Sequence, residues 1–336
     1  MRSRRSRVLA YGLIVCFAVI ALFSLRTGAV RISEREILGI LWGWSKRSDA
    51  TAEIILGIRL PRMVLSALVG AALALSGSVY QGLFRNPMAD PYVIGASAGA
   101  SLGATIAMML PINLQLLGLG TISLFAFVGS LATVAVVFGL ARTGQRTPIV
   151  NLILAGVSVS SVISAVVSLL MFLMPQEGLH GLVFWLMGGF SGRNWNHVVA
   201  VIPHFIVGMT VVLLHLKQLN AILLGEEEAM SLGVDVPRVT KRLVAAASLL
   251  TASTVAAGGI IAFAGLVVPH LVRLIVGPDH RRLVPNSCLL GAVFMLIADT
   301  IARSVIPPRE LPVGIVTALT GGPFFIYLLR KHKPKE

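Results

Sequence analysis

Apolar residues along this chain run together instead of alternating with polar ones. Long apolar stretches fall at 8–25, 63–84, 93–110, 121–141, 150–174, 198–216, 243–259, 263–276, 286–302 and 312–329. A helix needs roughly 20 apolar residues to cross the hydrocarbon core of a bilayer, at about 1.5 Å per residue. The pattern predicts ten transmembrane helices and an all-α membrane protein, because backbone polar groups in lipid must be satisfied within each segment. The run at 263–276 is short and holds Pro269. Such a segment needs protein neighbours that re-satisfy its freed backbone groups.

The polar residues between these runs set the orientation. With the N-terminus inside, the inner gaps hold Arg2, Arg4, Arg5, Arg7, Arg85, Arg142, Arg146, Lys217, Arg238, Lys241, Arg242, Arg273, Arg281, Arg282, Arg330, Lys331, Lys333 and Lys335. These are 18 of the 28 basic residues. Seven of the other ten lie between Arg26 and Arg62, a gap long enough for the positive-inside bias to weaken. Both N- and C-termini are therefore expected in the cytosol. The basic start followed by the run at 8–25 resembles a signal peptide, but the run is longer than a usual cleavable one and is read as a retained first span.

Composition agrees. The chain of 336 residues is 56% hydrophobic and 12% charged, with mean hydropathy +0.87, which excludes an ordinary soluble globule. Its net charge of +14 sits in short gaps and not along one face or tail, so membrane topology explains it and a nucleic-acid partner is not expected. Cys16 and Cys288 both lie within predicted spans, which supports neither a disulfide framework nor a metal site. No gap accommodates a soluble domain, and 1–336 reads as a single transmembrane domain. "LVGAALALSG" and "LLTASTVAAGG" are alike and face opposite ways through the bilayer, a faint inverted repeat.

Few residues offer chemistry. Ser33 and Glu36 form a capping box ahead of an apolar face with Trp42 and Trp44, predicting a short helix at the outer interface. Gly95, Gly99 and Gly103 recur every fourth residue, a face on which another backbone can approach closely. The same stretch spells G-x-S-x-G around Ser97, which raises an intramembrane serine hydrolase, but that motif needs a strand-turn-helix elbow that this context lacks. His197, His204 and His215 share a helix face at spacings too wide for one metal. Asp299 is the one acid that looks buried, and Arg303 lies four residues on, within reach of a local ion pair. No catalytic or metal set emerges. An ion-coupled secondary transporter is the rival class, yet its usual midplane acids are absent. No G-x-x-x-x-G-K-[ST] loop is present either, so energy for a pump has to come from another subunit.

One stretch stands against the basic balance: "LLGEEEAMSLGVDVPRV", with Glu226, Glu227 and Glu228 in sequence. After Gly225 the three acids occupy the first turn of a short helix, where free N–H groups favour negative charge. Gly233 stops it, Asp235 caps the next helix, and Pro237 is tolerated in that helix's first turn. The expected product is a cytosolic helix presenting Ala229, Met230 and Leu232 as a docking surface.

Taken together, the motifs "GAALALSGSVYQGLFRNPMADPYVIGASAGASLGA", "LILAGVSVS", "FWLMGGFSG", "LLGEEEAMSLGV", "IAFAGLVVPHLVRLIVGPDHRRLVP" and "ELPVGIVTALTGGPFFIYLLR" resemble the permease subunits of binding-protein-dependent ABC importers for iron-siderophores, haem and cobalamin. The resemblance implies the type II ABC importer permease fold in the cytoplasmic membrane of a prokaryote. It implies a homodimer, two cytosolic ATPase subunits that carry the ATP and magnesium, and a periplasmic or lipid-anchored substrate-binding protein. This subunit then binds no cofactor of its own. By the same resemblance, residues 225–234, with Gly225, Glu226, Glu227, Glu228, Ala229, Met230, Leu232 and Gly233, form the coupling element. Asn86, Pro87, Met88, Pro148 and Asn151 form the cytosolic gate, and residues 180–189 a short outer helix at the path mouth. Gly95, Ser97, Gly99 and Ser101 line the path, while Arg59, Arg62 and Arg303 receive carboxylates of the binding protein. The cargo reads as an iron chelate or cobalamin.

Overall fold

A computed structural model describes residues 2–28, 30, 32–44, 50–116, 118–144, 147–306 and 309–331. Arg146, Lys333 and Lys335, counted above among the inner basic residues, lie outside them. In chain order the helices are α1 (Arg2–Arg26), α2 (Glu34–Leu41), α3 (Ala50–Glu53), a π-helical stretch Ile54–Arg59, α4 (Leu60–Leu83) and α5 (Ala96–Met109). A two-residue hairpin follows, β1 (Gln115–Leu116) against β2 (Leu119–Gly120). Then come α6 (Thr121–Ala141), α7 (Ile149–Leu173), α8 (Gln176–Leu186), α9 (Trp195–Leu214) and α10 (Leu216–Ile222). The chain continues with α11 (Glu226–Ser231), α12 (Val236–Gly258), α13 (Ala264–Val276), α14 (His280–Ala302) and α15 (Val313–Lys331).

Among the described residues, six helical segments are long and apolar enough to cross a membrane: Arg4–Arg26, Ala50–Leu83, Thr121–Ala141, Ile149–Leu173, Trp195–Leu214 and His280–Ala302. Ala96–Met109, Ala264–Val276 and Val313–Tyr327 are shorter apolar helices. Each of the ten apolar runs thus falls on a helix, the tenth being α12 with charged residues in its first turns. The second run starts earlier than its hydropathy suggests. Residues 50–59 already wind into α4 because Arg59 and Arg62, which look like residues facing water, are buried within the fold.

α4 is the hub, buried along most of its length. Small residues make that burial possible. A Cβ on Gly70 would lie 2.1 Å from the Gly291 carbonyl of α14, and one on Gly77 would lie 1.8 Å from the Gly265 carbonyl of α13. Backbone therefore meets backbone at both crossings. Against α12 the contact is hydroxylic: Ser76 Oγ donates to the Ala247 carbonyl at 3.0 Å and meets Thr251 Oγ1 at 2.8 Å, and Tyr80 meets Ser248 at 2.9 Å. The glycine face of α5 is used in the same way. Cβ atoms on Gly99 and Gly103 would meet the Gly129 and Phe125 carbonyls of α6 at 2.3 and 2.1 Å.

Helix ends follow the local signals. Ser33 and Glu36 make the expected capping box of α2, and Ile37 and Ile40 pack against Leu25, Ala52 and Ile55 while Trp42 and Trp44 stay exposed. The three histidines keep separate local partners. His204 Nδ1 lies 2.7 Å from the Ala200 carbonyl, and His215 Nδ1 lies 2.8 Å from that of Val211. His197 lies beside Asn194. Ser97 sits in the first turn of α5 after a loop, with no strand leading into it.

Candidate functional site

Two polar regions stand out, one at each end of the bundle. At the end predicted to be cytosolic, α9 gives way to α10, and Gly225 then turns the chain at φ 145°. α11 begins at once with Glu226, Glu227 and Glu228 in its first turn. The left-handed backbone angle at Gly225 favours glycine, whereas the Glu228 carboxylate that a side chain here would meet is the end of a flexible chain and can move aside. Gly233, at φ 81°, ends the helix. Asp235 then caps α12, accepting from Arg238 N at 3.1 Å, with Pro237 in the first turn as expected. Met230 is 38% and Leu232 is 66% exposed, whereas Ala229 is fully buried against the core that includes Leu219, Ile222 and Val236. Ala229 therefore anchors the helix and does not belong to the surface it presents. Leu224, ahead of the turn, is exposed.

Beside α11 lies a cleft of about 520 Å³, lined by the three glutamates, Met230, Arg85 and Pro148. The structure thus brings the glutamate helix against the start of α7 and the loop after α4. Arg85 holds a left-handed φ of 50°, and the next residue, Asn86, accepts from Met88 N at 2.9 Å, forming a tight turn with exposed Pro87. Asn151 faces elsewhere and donates to Thr143 Oγ1 at 3.2 Å. Of the five gate candidates, Pro148 lines this cleft, next to Arg85 at the head of the turn that holds Asn86, Pro87 and Met88.

A second tie at this end was not visible in the sequence. Asn220 of α10 donates to Asp279 Oδ1 at 2.7 Å, while its carbonyl oxygen accepts from His280 N at 2.9 Å. Asp279 also accepts from Arg281 N at 3.1 Å, capping α14. Its carboxyl sits below the ordinary aspartate range: burial opposes the shift, and the Asn220 amide, the Arg281 N–H and the charges of Arg282 and Arg281 outweigh it. The motif "GPDHRRL" carried the signal, but its partner lies 59 residues away.

At the opposite end, Arg59, Arg62 and Arg303 do not stand free at the surface as expected. Arg59 and Arg62 are 6% and 8% exposed. Arg62 bonds Asp299 through Nη2 at 2.8 Å and Nε at 3.1 Å, and Glu310 through Nη1 at 2.8 and 2.9 Å. Asp299 is 1% exposed. Its principal partner is therefore Arg62, while Arg303, expected to pair locally, lies 3.9 Å away. Arg303 donates instead to Ser24 and the Thr27 carbonyl, and Arg59 to the carbonyls of Leu25, Arg26 and Val30. Two cations thus close the C-terminal end of α1, where orphan carbonyls and the helix dipole favour positive charge.

Of the four path candidates, Gly95 and Gly99 face Thr133 and Gly129 of α6 and serve packing. Ser101 Oγ donates back to the Ser97 carbonyl at 2.9 Å. A further polar surface lies on α7, of which the sequence reading named only Asn151. Asn151, Ser158, Ser161 and Ser168 are exposed there at helical spacing, and the hydroxyls of Ser161 and Ser168 donate to Val157 and Ser164 carbonyls. The serines in "SVSSVISAVVS" were the available signal, hidden by the high hydropathy around them.

The comparisons with known proteins come to one result. Residues 16–331 match the FecCD transport family. The chain is 48% identical over 284 residues to the cobalamin import system permease protein of Halobacterium salinarum, covering 84% of this chain and 75% of that one. It is 40% identical over 329 residues to the hemin transport system permease protein of Yersinia pestis, covering 96% of each. A solved structure described as a metal-chelate type ABC transporter in an inward-facing conformation is 34% identical, with TM-score 0.85, covering 97% of this chain and 99% of that one.

Proposed function

The chain belongs to the FecCD transport family, and from that premise we propose that it is the membrane permease subunit of an ATP-driven importer for an iron chelate or cobalamin. In this reading all ten apolar helices cross the cytoplasmic membrane of a prokaryote, with both termini inside. Two copies assemble around the path, two ATPase subunits dock from the cytosol, and a substrate-binding protein delivers cargo outside. ATP and magnesium belong to the ATPase subunits.

The observation that carries the proposal is α11. A six-residue helix with exposed Met230 and Leu232, anchored to the core through Ala229, borders a cleft shared with Arg85 and Pro148. Apolar side chains exposed on a polar end suit a docking surface, and Arg85, which lines the cleft, immediately precedes the gate candidates Asn86, Pro87 and Met88. Movement of α11 has a stiff route outward, through Asn220 to the start of α14 and along α14 to Asp299 and Arg62. In this reading the exposed serine face of α7 lines the path across the two copies, where its hydroxyls can meet water and cargo. At the outer end a binding-protein carboxylate reaches Arg62 by displacing Glu310, whose side chain is 37% exposed.

Co-expression with the cognate ATPase subunit tests this. The expected result is a purified complex of two permease and two ATPase chains. A permease that purifies as a monomer, leaving the ATPase unbound, overturns the proposal.

A further inference from the structure

The loop 187–194, α8 and the chain just ahead of α15 enclose an outer cavity of about 650 Å³, within the roughly 300–1,000 Å³ typical of small-ligand sites. Its floor is backbone, where Gly189 N donates to the Gly258 carbonyl at 2.7 Å. Phe184, Trp185 and Phe190 form the aromatic wall, and Arg62 and Arg193 supply positive charge. Arg62 is already neutralised by Asp299 and by Glu310, which also lines the cavity.

Arg193 is not. Its Nη1 donates to His197 Nε2 at 3.1 Å, and the His197 Nδ1–H donates to Asn194 Oδ1 at 2.9 Å. A ring that accepts through Nε2 is the neutral tautomer, so it orients the guanidinium without cancelling its charge. Arg193 Nε is buried and has no hydrogen-bond partner, and among the described residues Arg193 makes no salt bridge. Burial holds its pKa below the ordinary arginine value. The same side chain also lines a neighbouring smaller cavity with Asn113, Ser123 and His197. A half-buried cation that the fold orients but leaves uncompensated is costly by itself. It is suited to an anion that arrives from outside.

We propose that this cavity binds a flat, carboxylate-bearing ligand, with Arg193 receiving the carboxylate and Trp185 and Phe184 covering the ring. The assignment rests on the importer reading and narrows its cargo to chelates that carry acid groups. Concavity and aromatic walls favour a small ligand over a glutamate of the binding protein.

Protoporphyrin IX and its dimethyl ester share one ring and differ in whether the carboxylates are free. Both are titrated against the full-length chain in lipid nanodiscs, read by quenching of tryptophan fluorescence with empty nanodiscs subtracted. The free acid is expected to bind at least about tenfold tighter, the loss typical of a charged hydrogen bond. Arg193→Gln is expected to bring the acid to the level of the ester, and Arg193→Lys to keep part of the difference. Equal binding of acid and ester to the wild type overturns the site. So does an Arg193→Gln variant that still tells them apart. If neither porphyrin binds while Arg193→Gln weakens binding-protein association about tenfold, Arg193 is a protein contact and the small-ligand site is wrong. The importer reading is judged separately by the permease–ATPase complex, which survives any of these failures.

Discussion

Arg62→Met is expected to destabilise the protein by about 3–5 kcal/mol, the loss typical when one partner of a buried ion pair is removed. Asp299 is 1% exposed and takes three hydrogen-bond contacts from Arg62. Without Arg62 its remaining cation, Arg303, lies 3.9 Å away and is committed to the end of α1. Adding Asp299→Asn to Arg62→Met is expected to recover most of the loss, because the stranded charge and not the missing contact is the larger cost. Arg62→Lys recovers less, since one ammonium cannot reproduce a fork that bonds Asp299 on one side and Glu310 on the other. Thermal unfolding of the purified variants, arranged as a double-mutant cycle, measures this. An Arg62→Met midpoint equal to wild type contradicts the network.

The second large effect lies at the other end. Leu232→Asp is expected to abolish binding-protein-stimulated ATP hydrolysis and uptake while leaving stability within about 0.5 kcal/mol, as for other surface substitutions. Leu232 is 66% exposed, so a charge there costs the folded subunit little but spoils an apolar docking surface. Ala229→Asp, one turn away and fully buried, is expected to do the reverse and destabilise the subunit itself. Neutralising Glu226, Glu227 or Glu228 singly matters less, each contributing below about 1 kcal/mol near an exposed helix end. Wild-type coupling in Leu232→Asp removes α11 as the docking element.

Much of this was legible in the sequence because membrane helices announce themselves by composition. Each apolar run became a helix, and α6 begins and ends where its run does. The caps around α11 were equally readable, since Gly225, Gly233 and Asp235 act through their own backbone and nearest neighbours. What failed was long-range. Asp299 lies 237 residues from Arg62, and a sequence offers only the nearer Arg303. Arg59 reads as a surface cation because the α1 carbonyls it satisfies lie 33 and 34 positions away. Ala229 reads as part of an exposed helix, and only packing shows which face is turned inward. The serine face of α7 was hidden for another reason. Hydroxyls bonded to their own helix carbonyls sit comfortably in an apolar run, so hydropathy does not register them.

The central claim is that this chain moves its cargo by coupling to ATP hydrolysis elsewhere. Its most direct test is uptake into proteoliposomes containing the chain with its cognate ATPase, with haemin, cyanocobalamin and a ferric siderophore offered in parallel through the binding protein. The account predicts that one of these accumulates only when ATP, the ATPase and the binding protein are all present. Accumulation by this chain alone, driven by a proton or sodium gradient without ATP, contradicts it.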